Sequence, residues 1–273
     1  MEQQFCTPSV VQILSVRQQE ALKRKWNKKN ADPLAYTPSE EIKRGIGTEE
    51  ATVENAKLAS FAVGYFKRAL EMSGVSEEKT DVFDRVKQNK AIVFCGYGRR
   101  YDSDVVREAM LLGYQAWIID VSDVSAGWAA QDVREFVREL GNRNFQLPQV
   151  KPVEICSVFA DPNSIKLDLA KVEWWYMCRF LGCLSDRAAS IACREVGHSL
   201  SEELDPAKKN GIVIINAFHN ENIDFPGETS RLRKRKTVLK RIAKGAGRLV
   251  KPVYHETYQY FAKTVSAMTV KAA

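Results

Sequence analysis

The sequence predicts an α/β protein: a doubly wound, mostly parallel sheet, preceded by a helical lid and finished by an antiparallel hairpin. Three observations predict it. From residue 90 onward, apolar runs of strand length alternate with segments of helical spacing. The first two runs flank a Gly96-Tyr97-Gly98 turn and end in a carboxylate, Asp120. Residues Val253 to Val270 alternate loosely about Ala262-Lys263, as two antiparallel strands would.

The elements before the sheet read as helices. Ser9 to Asn30 carries Val10, Ile13, Leu14, Ala21 and Leu22 on one side, and Asp32-Pro33 and Thr37-Pro38 break it. Ser39-Glu40-Glu41 suits the cap of a short helix. Thr52 to Met72 is amphipathic, with Val53, Ala56, Ala59, Ala62, Val63, Phe66, Ala69 and Leu70 expected inward, and Ser73-Gly74 closes it. Another short helix, Glu77 to Lys87, leads into the first strand. Residues 1–89 thus form a helical cap and flank, and 90–273 the core, with no linker or internal repeat between.

The core opens with Ala91 to Cys95 as a strand. Val105, Val106, Ala109, Met110 and Leu112 then recur at helical spacing, and Gly113 supplies the left-handed cap. A second strand, Ala116 to Ile119, stops at Asp120. Glycines let the backbone pass close beneath a ligand where a Cβ would clash. The helix after them points free N–H groups toward the same place. An acid about 20 residues beyond such a turn is placed to accept from ribose hydroxyls. This is a nucleotide-binding pattern, and an ordinary βαβ unit is its plainer reading.

The alternation continues. Trp128 to Leu140 reads as a helix ended by Gly141-Asn142, and Val153 to Phe159 as a strand ending at Ala160-Asp161-Pro162. Val172 to Phe180 is a strand or buried segment, and Asp186 to Glu202 a helix. Gly211 to Phe218 is rich in β-branched residues, so it is expected buried on both faces. Thr229 to Lys244 is the last helix.

Composition narrows the classes. With 273 residues, 45% hydrophobic and 27% charged, the chain supports a large core. No apolar run approaches the roughly 18 residues of a membrane span, and the N-terminus lacks the pattern of a signal peptide. The six cysteines, Cys6, Cys95, Cys156, Cys178, Cys183 and Cys193, form no CxxC pair and read as reduced thiols of a cytoplasmic protein. His198, His219 and His255 do not cluster with them, so no metal is expected. Much of the +7 formal charge lies in Arg231 to Lys236, Lys240, Arg241, Lys244 and Arg248. Such a run binds nucleic acid or forms a solvated helix face. Leu232, Val238, Leu239 and Ile242 supply the apolar side that the second reading needs, and no aromatic residue is present for base stacking.

In order and position, this series resembles the class I S-adenosylmethionine-dependent methyltransferases, a Rossmann-like family. The likeness spans about Thr80 to Val270. It rests on Gly96 and Gly98, on Asp120 with Val121-Ser122, on Ala160-Asp161, on Cys178-Arg179-Phe180-Leu181, and on the terminal hairpin. The resemblance implies that S-adenosylmethionine lies against the Gly96-Tyr97-Gly98 turn. It implies that Asp120, beside Val121, holds the ribose, and that Asp161 accepts from the adenine amino group with Ala160 near its ring. Cys178 and Arg179 would floor the sulfonium. Two positions depart from the family pattern: Phe94 stands where an acid is common, and Arg100 where a third glycine would be. Asp102 or Asp104 is then the candidate partner of the methionine ammonium group.

Methyl transfer from a sulfonium is an in-line displacement, so alignment matters more than a fixed catalytic group. His219, after the fifth strand, is a candidate base or substrate donor, or a surface histidine. Tyr254 is the second candidate catalytic residue; with Tyr258 and Tyr260 at period-2 spacing, it lines a substrate pocket or packs the sheet. The leading expectation is a small-molecule N- or O-methyltransferase. An RNA methyltransferase, an NAD-dependent oxidoreductase and a non-catalytic binding protein on the same fold are the alternatives.

Overall fold

The computed structural model describes 20–28 in part, 48–72, 90–139 except 98 and 121, 151–152, 172–178, 190–197 in part, 212–217, 235–260 except 248, and 263–272. In these lie α1 (Thr48–Met72), β1 (Ala91–Cys95), α2 (Arg99–Leu111), β2 (Gln115–Asp120), α3 (Asp123–Glu139) and β3 (Lys151–Pro152). There follow β4 (Val172–Cys178), β5 (Ile212–Ala217), α4 (Arg235–Ala246), β6 (Val250–Tyr260) and β7 (Lys263–Ala272). Described residues within 20–28 and 190–197 are helical as well. The expected helices at 39–41 and 77–87 and the expected strand at 153–159 fall outside the described residues.

The strands form one sheet in the order β3-β2-β1-β4-β5-β7-β6. β1 to β5 are parallel, while β7 runs antiparallel to both β5 and β6. β1 is buried at all five positions, which explains its unbroken apolar sequence AIVFC. Successive side chains go to opposite faces. Ile92, Phe94, Ala116, Ile118, Trp174 and Tyr176 pack in one layer with α1, α2 and α3. Val93, Cys95, Trp175 and Met177 pack in the other with Ala192, Cys193 and Val196 and with Val238, Ile242 and Ala246 of α4. The sheet is therefore covered by helices on both faces. Pro152 and Pro252 lie in the two outermost strands, where a missing N–H is tolerated.

Local sequence explains several boundaries. Gly113 has φ of 83°. Its N–H donates to the Met110 carbonyl at 2.9 Å, and the Tyr114 N–H donates to the Ala109 carbonyl at 3.0 Å. This paired closure ends α2 where the sequence places its cap. α3 starts at Asp123, ahead of the expected Trp128, because Ser122 caps it. The Ser122 Oγ accepts from the Ser125 N–H at 3.3 Å, and the Ser122 carbonyl from the Ala126 N–H at 3.0 Å.

α1 corrects the inward list. Val53 is 48% exposed and Ala56 is exposed, whereas Leu58 and Tyr65 are fully buried. The stripe in the core layer on this face of the sheet is Ala62, Tyr65, Phe66, Ala69 and Leu70. Tyr65 belongs in it because its hydroxyl finds partners: it donates to the Tyr254 carbonyl at 3.2 Å and shares a 2.8 Å hydrogen bond with Thr269. α1 therefore lies along one face of the sheet as a flank. No helix among the described residues is long and apolar enough to cross a membrane.

Candidate functional site

The strand order itself locates a crevice. From β1 the chain moves outward to β2 and β3, then returns to β4 on the other side of β1. Connections leave the carboxyl ends of β1 and β4 in opposite directions, and ligands of open α/β sheets bind at such a point. Register brings the predicted residues to one height. Cys95 pairs with Ile119, and Phe94 pairs with Tyr176. The next positions toward the tip are Gly96, Asp120 and Cys178. Cys178 is paired in register with Asn216 of β5.

Gly96 has φ of 81°, so the turn uses the left-handed conformation that a side chain disfavours. The Tyr97 N–H donates to Asp120 Oδ2 at 2.8 Å. The Ser122 N–H donates to Asp120 Oδ1 at 2.7 Å. Each carboxylate oxygen thus takes one backbone amide, in short, charge-assisted bonds.

Tyr97 is the largest side chain of the turn, yet it is 3% exposed and packs in the layer of α1, α2 and α3. Its hydroxyl donates to Asp132 Oδ2 on α3 at 2.7 Å. Its ring also lines a groove of about 150 Å³ between α2 and α3. Of the two acids weighed for an ammonium group, Asp104 is exposed and lines that same groove, whereas Asp102 is buried in the first turn of α2. Phe94 is fully buried in the core.

One residue of the N-terminal helical segment reaches this end of the sheet. The Ser122 Oγ donates to Asn27 Oδ1 at 2.9 Å, so 20–28 meets the loop that follows Asp120.

Tyr254 lies elsewhere. It sits in the row Phe94, Tyr176, Ile214, Thr269, Tyr254, two residues short of the tip. Its ring stacks on Tyr65 at 5.2 Å, and Tyr258 stacks on Phe61 at 5.1 Å. Its hydroxyl accepts from Arg68 Nε at 3.0 Å and donates to Glu256 Oε2 at 3.0 Å. Arg68 also holds Glu256 directly, Nη2 to Oε2 at 2.7 Å and to Oε1 at 2.9 Å. The hydrogen bond to Glu256 is the main cause that raises the Arg68 pKa. This cluster fastens α1 to the hairpin.

Gly98, Val121, Ala160, Asp161, Arg179 and His219 lie outside the described residues, and of Cys178 only the backbone is described. Sequence reasoning missed Asn27, Arg68, Asp132 and Glu256, whose partners are far away in the chain. Ser122 alone carried a local signal, since a serine ahead of a helix is a cap. In the basic segment, Val238, Ile242 and Ala246 are buried on the sheet while Lys240 and Lys244 are exposed.

No protein-family model matches the chain, and no curated relative matches its sequence. Among solved structures, it is similar to a SAM-dependent methyltransferase from Aquifex aeolicus, at 15% identity and a TM-score of 0.37, over 75% of this chain and 98% of that one. It is also similar to a structure concerned with conversion of a disulfide bond into a thioacetal group during echinomycin biosynthesis. There the identity is 11% and the TM-score 0.37, over 70% of this chain and 80% of the other.

Proposed function

We propose that this chain is an S-adenosylmethionine-dependent methyltransferase that acts on a small molecule at nitrogen or oxygen. The observation that carries the reading is the meeting of the Gly96 turn and Asp120 at the switch point between β1 and β4. The residues there fit an adenosyl group. Gly96 keeps the backbone low, the Tyr97 ring packs into the helical layer, and Asp120 stands at the tip of β2, the place from which an acid accepts ribose hydroxyls. In this reading Val121 adjoins the ribose, Ala160 and Asp161 serve the adenine, and Cys178 with Arg179 underlies the sulfonium. Asp102, buried beside the turn, is the acid assigned to the ammonium group.

When bound, the cofactor supplies an electrophilic methyl group. The chain's own task is to hold donor and acceptor in line and to keep water out. His219, just beyond β5, is assigned the proton of the incoming nucleophile, either as its base or as its hydrogen-bond donor. Tyr254, whose hydroxyl is bound by Arg68 and Glu256, is assigned to holding the hairpin. The buried side of α4 favours a helix that belongs to the core, and with it a small acceptor in preference to RNA.

Thermal-shift titration with S-adenosylmethionine, S-adenosylhomocysteine and NAD tests this reading. A ligand of the native state raises apparent stability by about 2.7 kcal/mol at a hundredfold excess over Kd. Shifts with the two adenosyl ligands and none with NAD are expected. A shift with NAD alone supports an oxidoreductase. No shift with any of the three removes the cofactor assignment. Steeply salt-dependent RNA binding would move the acceptor to nucleic acid.

A further inference from the structure

We infer that Asp132, on α3 and outside the crevice, is a positioning residue for the adenosyl-binding turn and acts through Tyr97. The inference rests on the methyltransferase reading above. Two carboxylates grip one residue from different directions. Asp120 takes the Tyr97 backbone N–H at 2.8 Å from the tip of β2. Asp132 takes the Tyr97 hydroxyl at 2.7 Å from the middle of α3. The ring between them is 3% exposed and is packed with α1, α2 and α3. Tyr97 is therefore a strut: one end fixes where the turn amide points, and the other is anchored in the helical layer.

The arrangement explains why a bulky residue stands between two glycines. Gly96 holds φ at 81° and confers no stiffness of its own. The Tyr97 side chain supplies that stiffness by leaving the turn on the side of the helices. If the hydroxyl loses its anchor, the ring can shift within its layer and the turn amide moves with it. Asp120 then gives up part of the orientation that suits it to ribose hydroxyls. Asp132 never touches the ligand in this account. Its effect is on the fraction of molecules whose turn is already set for binding.

Calorimetric titration with S-adenosylhomocysteine tests this in the wild-type chain, Tyr97→Phe, Asp132→Ala, Asp132→Asn and the Tyr97→Phe/Asp132→Ala double variant. Unfolding midpoints without ligand are measured alongside. Tyr97→Phe keeps the buried ring, so its fold is retained. Tyr97→Phe and Asp132→Ala are each expected to weaken binding about tenfold, equivalent to about 1.4 kcal/mol. The double variant is expected to be no weaker than either single one, because both remove the same bond. Asp132→Asn, which keeps an acceptor oxygen, is expected to recover most of the loss. Wild-type affinity in both single variants, or losses that multiply in the double variant, would overturn the role of Asp132 and leave the cofactor assignment standing. A fall in unfolding midpoint with unchanged affinity would also overturn it, since the bond would then serve stability alone. Failure of the wild-type chain to bind S-adenosylhomocysteine would overturn the methyltransferase reading and this inference together.

Discussion

The Asp120 carboxylate bridges the tips of β1 and β2, accepting the Tyr97 amide on one oxygen and the Ser122 amide on the other. The same side chain thus sets the turn and faces the end of the sheet where the strand order reverses. Asp120→Asn separates these two tasks poorly, and that makes it informative. Asparagine presents one oxygen and one NH2 group, so one of the two backbone N–H donors loses its acceptor. A lost bond of this kind costs about 1–3 kcal/mol. Urea unfolding should show that loss, and the thermal shift with S-adenosylhomocysteine should disappear.

Arg68, Tyr254 and Glu256 form a triangle of hydrogen bonds across α1 and β6. The Arg68 and Glu256 side chains are 43% and 31% exposed, so solvent screens their pairing. Exposed pairs contribute up to about 1 kcal/mol, and the bidentate geometry here belongs at the upper end. Arg68→Met should therefore lower stability by about 1 kcal/mol, less at high salt. Tyr254→Phe should lose a similar amount, about 1 kcal/mol for its hydrogen bonds. A double-mutant cycle on unfolding free energies should show the two losses to be coupled, since they share a partner.

The sheet was legible in the sequence wherever a strand is central. Ala91–Cys95 is read from its unbroken apolar run, because it has a strand on either side and is buried at all five positions, and Ile212–Ala217, also central, from its β-branched residues. The Gly113 cap was legible because glycine is the residue that takes φ of 83° without a Cβ penalty. The face of α1 was less so. Periodicity gives a stripe, but tertiary packing decides that Val53 is exposed and Leu58 buried. Tyr65 reads as partly polar until Thr269, 204 positions away, provides for its hydroxyl. At the site, the Gly96 turn and Asp120 were visible through their spacing. The Tyr97–Asp132 bond was not, because Asp132 looks like any polar residue on an amphipathic helix. Nor did the sequence tell that the Tyr254 ring would face α1, since alternation gives two faces and no name for either.

Gly197 and α4 meet at backbone distance. A Cβ built on Gly197 would lie 2.1 Å from the Ile242 carbonyl oxygen and 3.1 Å from the Ala246 nitrogen. Neither neighbour is the end of a flexible side chain, so the helices must move apart. Separation would loosen Val196, Val238 and Ile242, all buried in the second core layer. Overpacking a tight core costs about 1–3 kcal/mol and can cost more. Gly197→Ala should reach at least the upper end of that range in denaturant unfolding. Gly127→Ala is the control: nothing lies within 4 Å of its Cβ position, and its helical setting should gain about 1 kcal/mol from alanine.

Two buried thiols make stability depend on alkaline pH. Burial pushes the Cys193 pKa up from its ordinary 9.0 to about 12, against a smaller lowering by Arg241, and burial raises Cys95 well above the ordinary value. Their raised values mean that the folded chain holds these protons after the unfolded chain has released them. The unfolded state then binds fewer protons, so stability falls as pH rises. For Cys193 this contribution is whole below pH 9 and is lost between 9 and about 12. Unfolding free energy measured across that window should decline, and Cys193→Ala should decline less steeply than wild type despite its lower starting value. The same burial predicts that neither thiol reacts with an alkylating reagent at neutral pH until the chain unfolds. Rapid labelling of native Cys95 or Cys193 would mean that the second core layer opens locally, and the alkaline slope would then be shallower than burial requires.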